Sequence, residues 1–331
     1  MTLPAAPSHV VAAGEPESGR YRGRVAHVDW TDLHTARQRS ALWRRLHHKR
    51  WQYVGIGSGD LFIGVAIVDL GWCCSSFAYL FDRRERRLLA DWSQEGLPGR
   101  SGGVSDAPVD GSHAWFRGRR AALSVQHVAG DQLQLRVDVP GLRIEATLAL
   151  PASAPLLLAI GPIDGGAAHA TQKSSALATT GWAEAQGRRF ELDQAFGSLD
   201  SSNGLLAHRT AWRWASAHSP EVGFNLQQGY FGDYENVLWL DGYLIALGAA
   251  RFEFDPAQPL RPWHVHTDDA RLDLRFTPEG ARQADLDLGL VASHYVQPVG
   301  TFDGWVRAAP GDAKRPVQGL LGVTEDHRSK W

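Results

Sequence analysis

Leu133-Gln-Leu-Arg-Val-Asp-Val139, followed by Leu142-Arg-Ile-Glu-Ala-Thr-Leu-Ala-Leu150, decides the fold class. Arg136, Asp138, Arg143 and Glu145 alternate with apolar neighbours, a period of two that wets one face of a strand and buries the other. Working outward, the same texture fills both halves of the chain. Towards the N-terminus lie Ala121 to Val128, Ser75-Ser-Phe-Ala-Tyr-Leu-Phe81, Leu61-Phe-Ile-Gly-Val-Ala-Ile-Val68 and Trp51-Gln-Tyr-Val-Gly-Ile56, aromatic and β-branched runs between Gly and Asp turns. Towards the C-terminus, beyond Leu156 to Ile160, come Thr210-Ala-Trp-Arg-Trp-Ala215, Val237-Leu-Trp-Leu240 and Ala250-Arg-Phe-Glu-Phe254. Arg271-Leu-Asp-Leu-Arg-Phe276 and Ala284-Asp-Leu-Asp-Leu-Gly-Leu290 complete the set. Many short strands with turns at this spacing predict an all-β protein of sandwich or barrel type. Only Thr31 to Arg50 is compatible with a helix, and no βαβ rhythm is visible.

At 331 residues the chain exceeds what one hydrophobic core ordinarily serves, so two lobes are expected. Gly161 to Ser175, rich in Gly, Ala and Ser, is the softest join, which divides the chain into residues 1–170 and 171–331, with residues 1–30 extended or irregular. A net charge of -2 argues against nucleic acid or an acidic membrane as partner. No apolar run reaches the roughly 20 residues that span a bilayer, and no export signal is visible, so a cytoplasmic location is expected, as monomer or homodimer. The only cysteines, Cys73 and Cys74, are adjacent and read as free thiols.

No G-x-G-x-x-G after a strand, P-loop, G-x-S-x-G elbow or H-E-x-x-H is present, so no nucleotide or flavin cofactor is expected. His264 and His266 share a strand face with Asp268 and Asp269 just beyond, and Glu325 and His327 form a second pair. Neither pair has a third ligand at a convincing spacing, so no metal is expected either. Of thirteen tryptophans, Trp212 and Trp214 lie on one strand face and Trp239 on another strand. They fill a core, or they wall a chamber whose π faces hold an apolar ligand or a carbocation. Polar residues interrupt the apolar runs nearby: Asp200, Asn225, Glu235, Asn236 and Asp241. A carboxyl group enclosed by apolar walls keeps its proton and can act as a general acid. The bland alternative is turn capping: Asp241-Gly242 is a hairpin turn, and Asp200 opens a turn-like Asp-Ser-Ser-Asn-Gly.

Lys49-Arg-Trp-Gln-Tyr53, Ala66-Ile-Val-Asp-Leu-Gly-Trp72, Thr171-Gln-Lys173, Leu199-Asp200, Gly204 and Trp212-Arg-Trp-Ala215 carry a family resemblance. Gly223-Phe-Asn-Leu226, Tyr234-Glu-Asn-Val-Leu-Trp-Leu-Asp-Gly242 and Gly322-Val-Thr-Glu-Asp-His327 through Trp331 continue it. In that order they resemble the domain of unknown function 2804 family, distantly similar to carotenoid hydratases, AttH-like proteins and the survival-factor lipid carriers of yeast. The resemblance implies two lipocalin-like β-domains packed together around a hydrophobic small-molecule ligand. It also implies a cofactor-independent enzyme that protonates an unsaturated lipid or isoprenoid-like molecule, leading to hydration, isomerisation or cyclisation. The acid carried over from the hydratases is Asp200; in the enzyme reading of these residues Asp200 or Glu235 is the acid, Asn225 and Asn236 place water or a substrate oxygen, Trp212, Trp214 and Trp239 wall the cation, and Lys173 and His327 stand at the rim. Where hydratases carry His after that Asp, Ser201 stands here, and Tyr234 begins the Tyr-Glu-Asn triplet. The other reading is a carrier that shields a lipid unchanged; such a protein needs no acid.

Overall fold

The computed structural model describes residues 3–287 and 292–330, so the end of the run expected at Ala284 to Leu290, and Trp331, lie outside the described residues. Among the described residues the architecture is all-β: one sheet of fifteen strands, one of nine, and a small hairpin near the N-terminus. They form a nearly closed barrel and a half-barrel sheet. Strands between Gly19 and Leu205 build the first sheet, and those between Arg209 and Lys330 the second. The change of sheet falls at residues 206–208, and the stretch around residue 170 lies within the first sheet as strand Ala168–Lys173.

Every large sheet pairing is antiparallel, as short connections require. In the second sheet the order runs from Tyr243–Ala246 through Val237–Leu240, Val222–Gly229, Arg209–His218, Arg315–Lys330, Ala292–Val306, Leu272–Asp287 and Trp263–Thr267 to Ala250–Glu253. Asp241 (φ 50°) and Gly242 (φ 80°) close the two-residue hairpin that sets Leu240 opposite Tyr243, the left-handed pair a type I′ turn needs.

The helix expected over Thr31 to Arg50 is shorter than that span. His34–Arg37 and Ala41–His47 are helical, the second capped by the Ser40 side chain, and the chain turns extended at His48. The cause is tertiary: His48, Lys49 and Arg50 pair with Leu205, Gly204 and Asn203, and a sheet ladder outbids helix propensity.

Leu61–Asp69 reads as a nearly continuous apolar run because it is buried on both sides. Ile63, Val65 and Ile67 face the first lobe's core with Val54, Leu80, Leu135 and Ile144. Phe62 and Ala66 face the other way, into a core shared with Trp214, Val299 and Val323 of the second sheet. The sheets therefore meet through hydrocarbon, and the site lies in that seam.

Candidate functional site

Strand register brings the polar residues of the seam together. Lys173 stands directly across from Asp200, which on its other side faces Tyr53. In the second sheet Trp212 pairs with His327, Trp214 pairs with Glu325 and Gln227, and Tyr295 pairs with His327. Because side chains alternate along a strand, Trp212 with Trp214, and Glu325 with His327, point the same way. That way is towards Asp200 and Ser202. Together with Trp51, Phe77 and Glu235 they enclose a cavity of about 130 Å³ between the two sheets. The chamber is built from both sheets: its charged groups come from strands Ala168–Lys173 and Ala195–Leu205 on one side, and from strand Arg315–Lys330 and the connection that carries Glu235 on the other.

Asp200 does not sit in a turn. It occupies the middle of strand Ala195–Leu205, a strand that its Ser-Ser-Asn-Gly sequence disfavours locally. Its polar neighbours find tertiary partners instead: Asn203 accepts from the Trp30 indole (3.0 Å) and donates to Asp106 (3.0 Å), while the Ser202 hydroxyl donates to Thr171 (2.8 Å).

At the centre, the Lys173 ammonium donates to Asp200 Oδ2 and lies 2.7 Å from Glu235 Oε2, with all three side chains largely withdrawn from water. Asp200 Oδ1 also accepts from the Thr171 hydroxyl (3.2 Å), and the Ser202 oxygen lies at the same distance. Burial opposes a charged Lys173, but Asp200 and Glu235 outweigh it and hold the ammonium's pKa above the ordinary lysine value. Glu235 moves the other way from an ordinary glutamate. Burial raises its pKa, Asp200 adds to the rise, and Lys173 and the Asn225 amide only partly offset it. One cation stands between two carboxylates: it can neutralise Asp200, and the second carboxyl is left as the natural holder of a proton. The Lys173 ammonium also lies 5.9 Å from the centre of the Trp214 ring.

A second polar group lines the opposite wall. Glu325 accepts from the Trp212 indole (2.7 Å) and the Gln297 amide (3.0 Å), and His327 Nδ1 is 3.5 Å away. Tyr79 from the first sheet donates to Gln297 across the seam. Gln227 is buried and lines the chamber, and neither atom of its amide finds a hydrogen-bond partner among the described residues.

The remaining expected residues have other surroundings. Asn225 stands behind the chamber, accepting from the Trp214 indole (2.8 Å) and donating to Glu235 at both its backbone oxygen (2.9 Å) and its carboxylate (3.2 Å), so it orients an acid and a wall at once. Asn236 spends its side chain on the Gln227 backbone N–H and the Gly248 carbonyl. Trp239 packs with Leu157, Phe231 and Leu244 and donates to the Pro155 carbonyl, away from the chamber. Sequence reasoning did not single out Trp51, Tyr53, Gln227 or Gln297. The alternation in Trp51-Gln-Tyr53 was the available signal, since it sets two rings on one face.

An open cleft of about 500 Å³ adjoins the chamber and shares Tyr53 and Trp214 with it. These two rings meet edge to face at 6.0 Å. The family model described as domain of unknown function (DUF2804) matches residues 7–331. This chain belongs to that family. The DUF2804 chain shares its fold with an AttH-like protein from Nitrosomonas europaea (TM-score 0.58, 13% identity, 85% of this chain and 92% of that one). It also shares it with kievitone hydratase from Nectria haematococca (0.58, 11%, 98% and 97%) and with CghA solved with Sch210972 (0.58, 13%, 98% and 97%). No curated protein matches the DUF2804 chain in sequence. Among its described residues, no helix is long and apolar enough to cross a membrane.

Proposed function

We propose that this protein takes a hydrophobic, unsaturated small molecule into the seam between its sheets and acts on it by proton transfer: hydration, isomerisation or cyclisation. The observation that carries the reading is the ammonium of Lys173 set between buried Glu235 and part-buried Asp200 in an aromatic chamber. Glu235, with its raised pKa, is the proton donor, and Asp200 is the fixed counter-ion of Lys173. In the proposed step the Glu235 O–H bond breaks, its proton forms a C–H bond with one alkene carbon, and the positive charge falls on the other. Trp212 and Trp214 present π faces to that cation. Water then adds to it and returns a proton to the Glu235 carboxylate, or loss of a neighbouring proton gives the isomer; either way the acid is regenerated. Gln227 offers an unused amide to an oxygen of the ligand. Fold likeness to a protein named as a hydratase, and to one solved with a small molecule, supports this class of chemistry.

The test is solvent exchange. The protein is incubated in D₂O with a lipophilic extract of its host, and mass spectrometry looks for a compound that gains deuterium only when protein is present. Glu235→Gln should slow that gain by about 10²- to 10⁴-fold while leaving the compound bound. A compound that co-purifies with the protein and never exchanges would replace this reading with that of a carrier.

A further inference from the structure

The outer face of the second sheet carries a cluster that has no part in the chamber. Strand Ala250–Glu253 is the terminal strand of that sheet, and it pairs Glu253 with His264 of strand Trp263–Thr267. His266, two residues on, shares the face of His264, and the next strand places Asp273 opposite His266. One ligand atom from each of Glu253, His264 and His266 lies within 4.8 Å of the others. The imidazoles lie nearly parallel, with centroids 4.7 Å apart.

Hydrogen bonding orients this set. His264 Nε2 is 2.8 Å from Asp273 Oδ1. His264 Nδ1 is 3.2 Å from Glu253 Oε2, so an ion that displaces the Nδ1 proton would find an imidazole lone pair and a carboxylate oxygen side by side, with the remaining N–H donated to Asp273. His266 Nε2 is 3.4 Å from the other oxygen of the same carboxylate. Nitrogen and oxygen lone pairs thus converge with two acidic groups around them. A carboxylate that fixes the far nitrogen of a ligand imidazole is the usual outer support of a histidine-bound metal. Two imidazoles and a carboxylate, solvent-accessible on one side, suit a borderline divalent ion that keeps water in its remaining positions.

We propose that Glu253, His264 and His266 form a binding site for a divalent transition metal of the Zn²⁺ class, with Asp273 orienting His264. The ion would tie the terminal strand of the sheet to its neighbour. Asp268 and Asp269, the acids nearest the histidines in sequence, take no part: they accept from the backbone N–H groups of Ala249 and Gly248.

Calorimetric titration of the full, chelator-treated chain with zinc chloride, repeated with nickel chloride, tests the site. One equivalent should bind, and Co²⁺ should give a visible absorption band of a nitrogen- and oxygen-ligated ion. His264→Ala and His266→Ala should each abolish uptake. Asp273→Asn should weaken it about ten- to a hundredfold, because Asp273 acts through His264. All three residues are surface-accessible, and circular dichroism checks that each variant keeps its strands. No uptake by the wild-type chain, or uptake that survives loss of both histidines, would overturn the proposal.

Discussion

Lys173 is the residue on which the chamber's electrostatics turn. Its partners are not equivalent: Asp200, held by Lys173 and the Thr171 hydroxyl, keeps some access to water, whereas Glu235, held by Lys173 and the Asn225 amide, is buried. Asp200→Asn removes the counter-ion of Lys173 and should destabilise the fold by about 3–5 kcal/mol, the usual cost of breaking a buried ion pair from one side, and Glu235→Gln by clearly less. Urea titrations at neutral pH compare them, and equal losses would undercut the division of roles. The division also fixes a pH dependence. The donor must be protonated, so turnover should be full below the pKa of Glu235 and fall about tenfold per unit above it, with the midpoint higher than for an ordinary glutamate. Asp200 contributes to that rise, so Asp200→Asn should move the midpoint to lower pH. A pH–rate profile of both proteins on one substrate checks the sign. Sequence makes the residue types here legible, since carboxyls inside apolar runs must have partners, but not which carboxyl keeps the proton. That follows from how deeply each is buried beside the shared Lys173, which only the tertiary arrangement supplies.

At the scale of strands, alternation is a dependable guide wherever one face is wet. Ala121–Val128 and Val237–Leu240 have the expected bounds, and the Asp241-Gly242 hairpin is where its dipeptide predicts it. Legibility fails where tertiary partners override local preference. Ala195–Leu205 carries Asp, three Ser, Asn and two Gly and still forms a strand, because strands His48–Gly57, Ala168–Lys173 and Leu177–Ala185 hold it. The glycine in Leu61–Asp69 has a reason that sequence also conceals. Gly64 lies opposite Tyr79, whose ring occupies the space a Cβ would need, and that tyrosine crosses the seam to Gln297. Gly64→Ala should push the ring away and destabilise the protein by about 1–3 kcal/mol. Because Gln297 orients Glu325, the same change should disturb the indole of Trp212, which a shift in tryptophan emission would report. A variant as stable as the parent, with unaltered emission, would mean that the ring has room to move.

At the scale of the whole molecule the two sheets act as one body because polar contacts stitch the rim of the apolar seam. Arg83 grips Glu279 with two bonds (2.9 and 2.7 Å), and Arg282 reaches Asp91 (2.8 Å). Two of the stitches are histidines, His169 buried and His218 part-buried beside the open cleft. His169 of the first sheet lies 3.2 Å from the Tyr230 hydroxyl and stacks on Phe231 at 4.5 Å, both on the far side of the seam. His218, from the second sheet, is 2.8 Å from the Ser175 hydroxyl of the first and 2.6 Å from Ser216. Nothing in their sequence neighbourhoods marks either as an interlobe contact, since no local pattern encodes how one sheet lies on another. Burial first, and the nearby Lys173 charge second, push both pKa values down to about 3 from the ordinary 6.5. The folded protein thus refuses protons that the unfolded chain accepts below the ordinary value. Stability contributed by each histidine is complete above that value, and is lost as pH falls from there towards 3, at about 1.4 kcal/mol per pH unit for each group. Acid should therefore unfold the protein at mild pH, before the carboxylates that pair at its surface are titrated. Urea unfolding followed by tryptophan fluorescence across this range reads the slope of stability against pH, and hence the protons taken up. His169→Gln should reduce the uptake by about one proton and His218→Gln by another, which leaves the double variant a shallower slope to which His47 and His48, also lowered by burial, still contribute. A double variant with the wild-type slope would show that acid acts elsewhere in the molecule, and not on the seam that holds its chamber together.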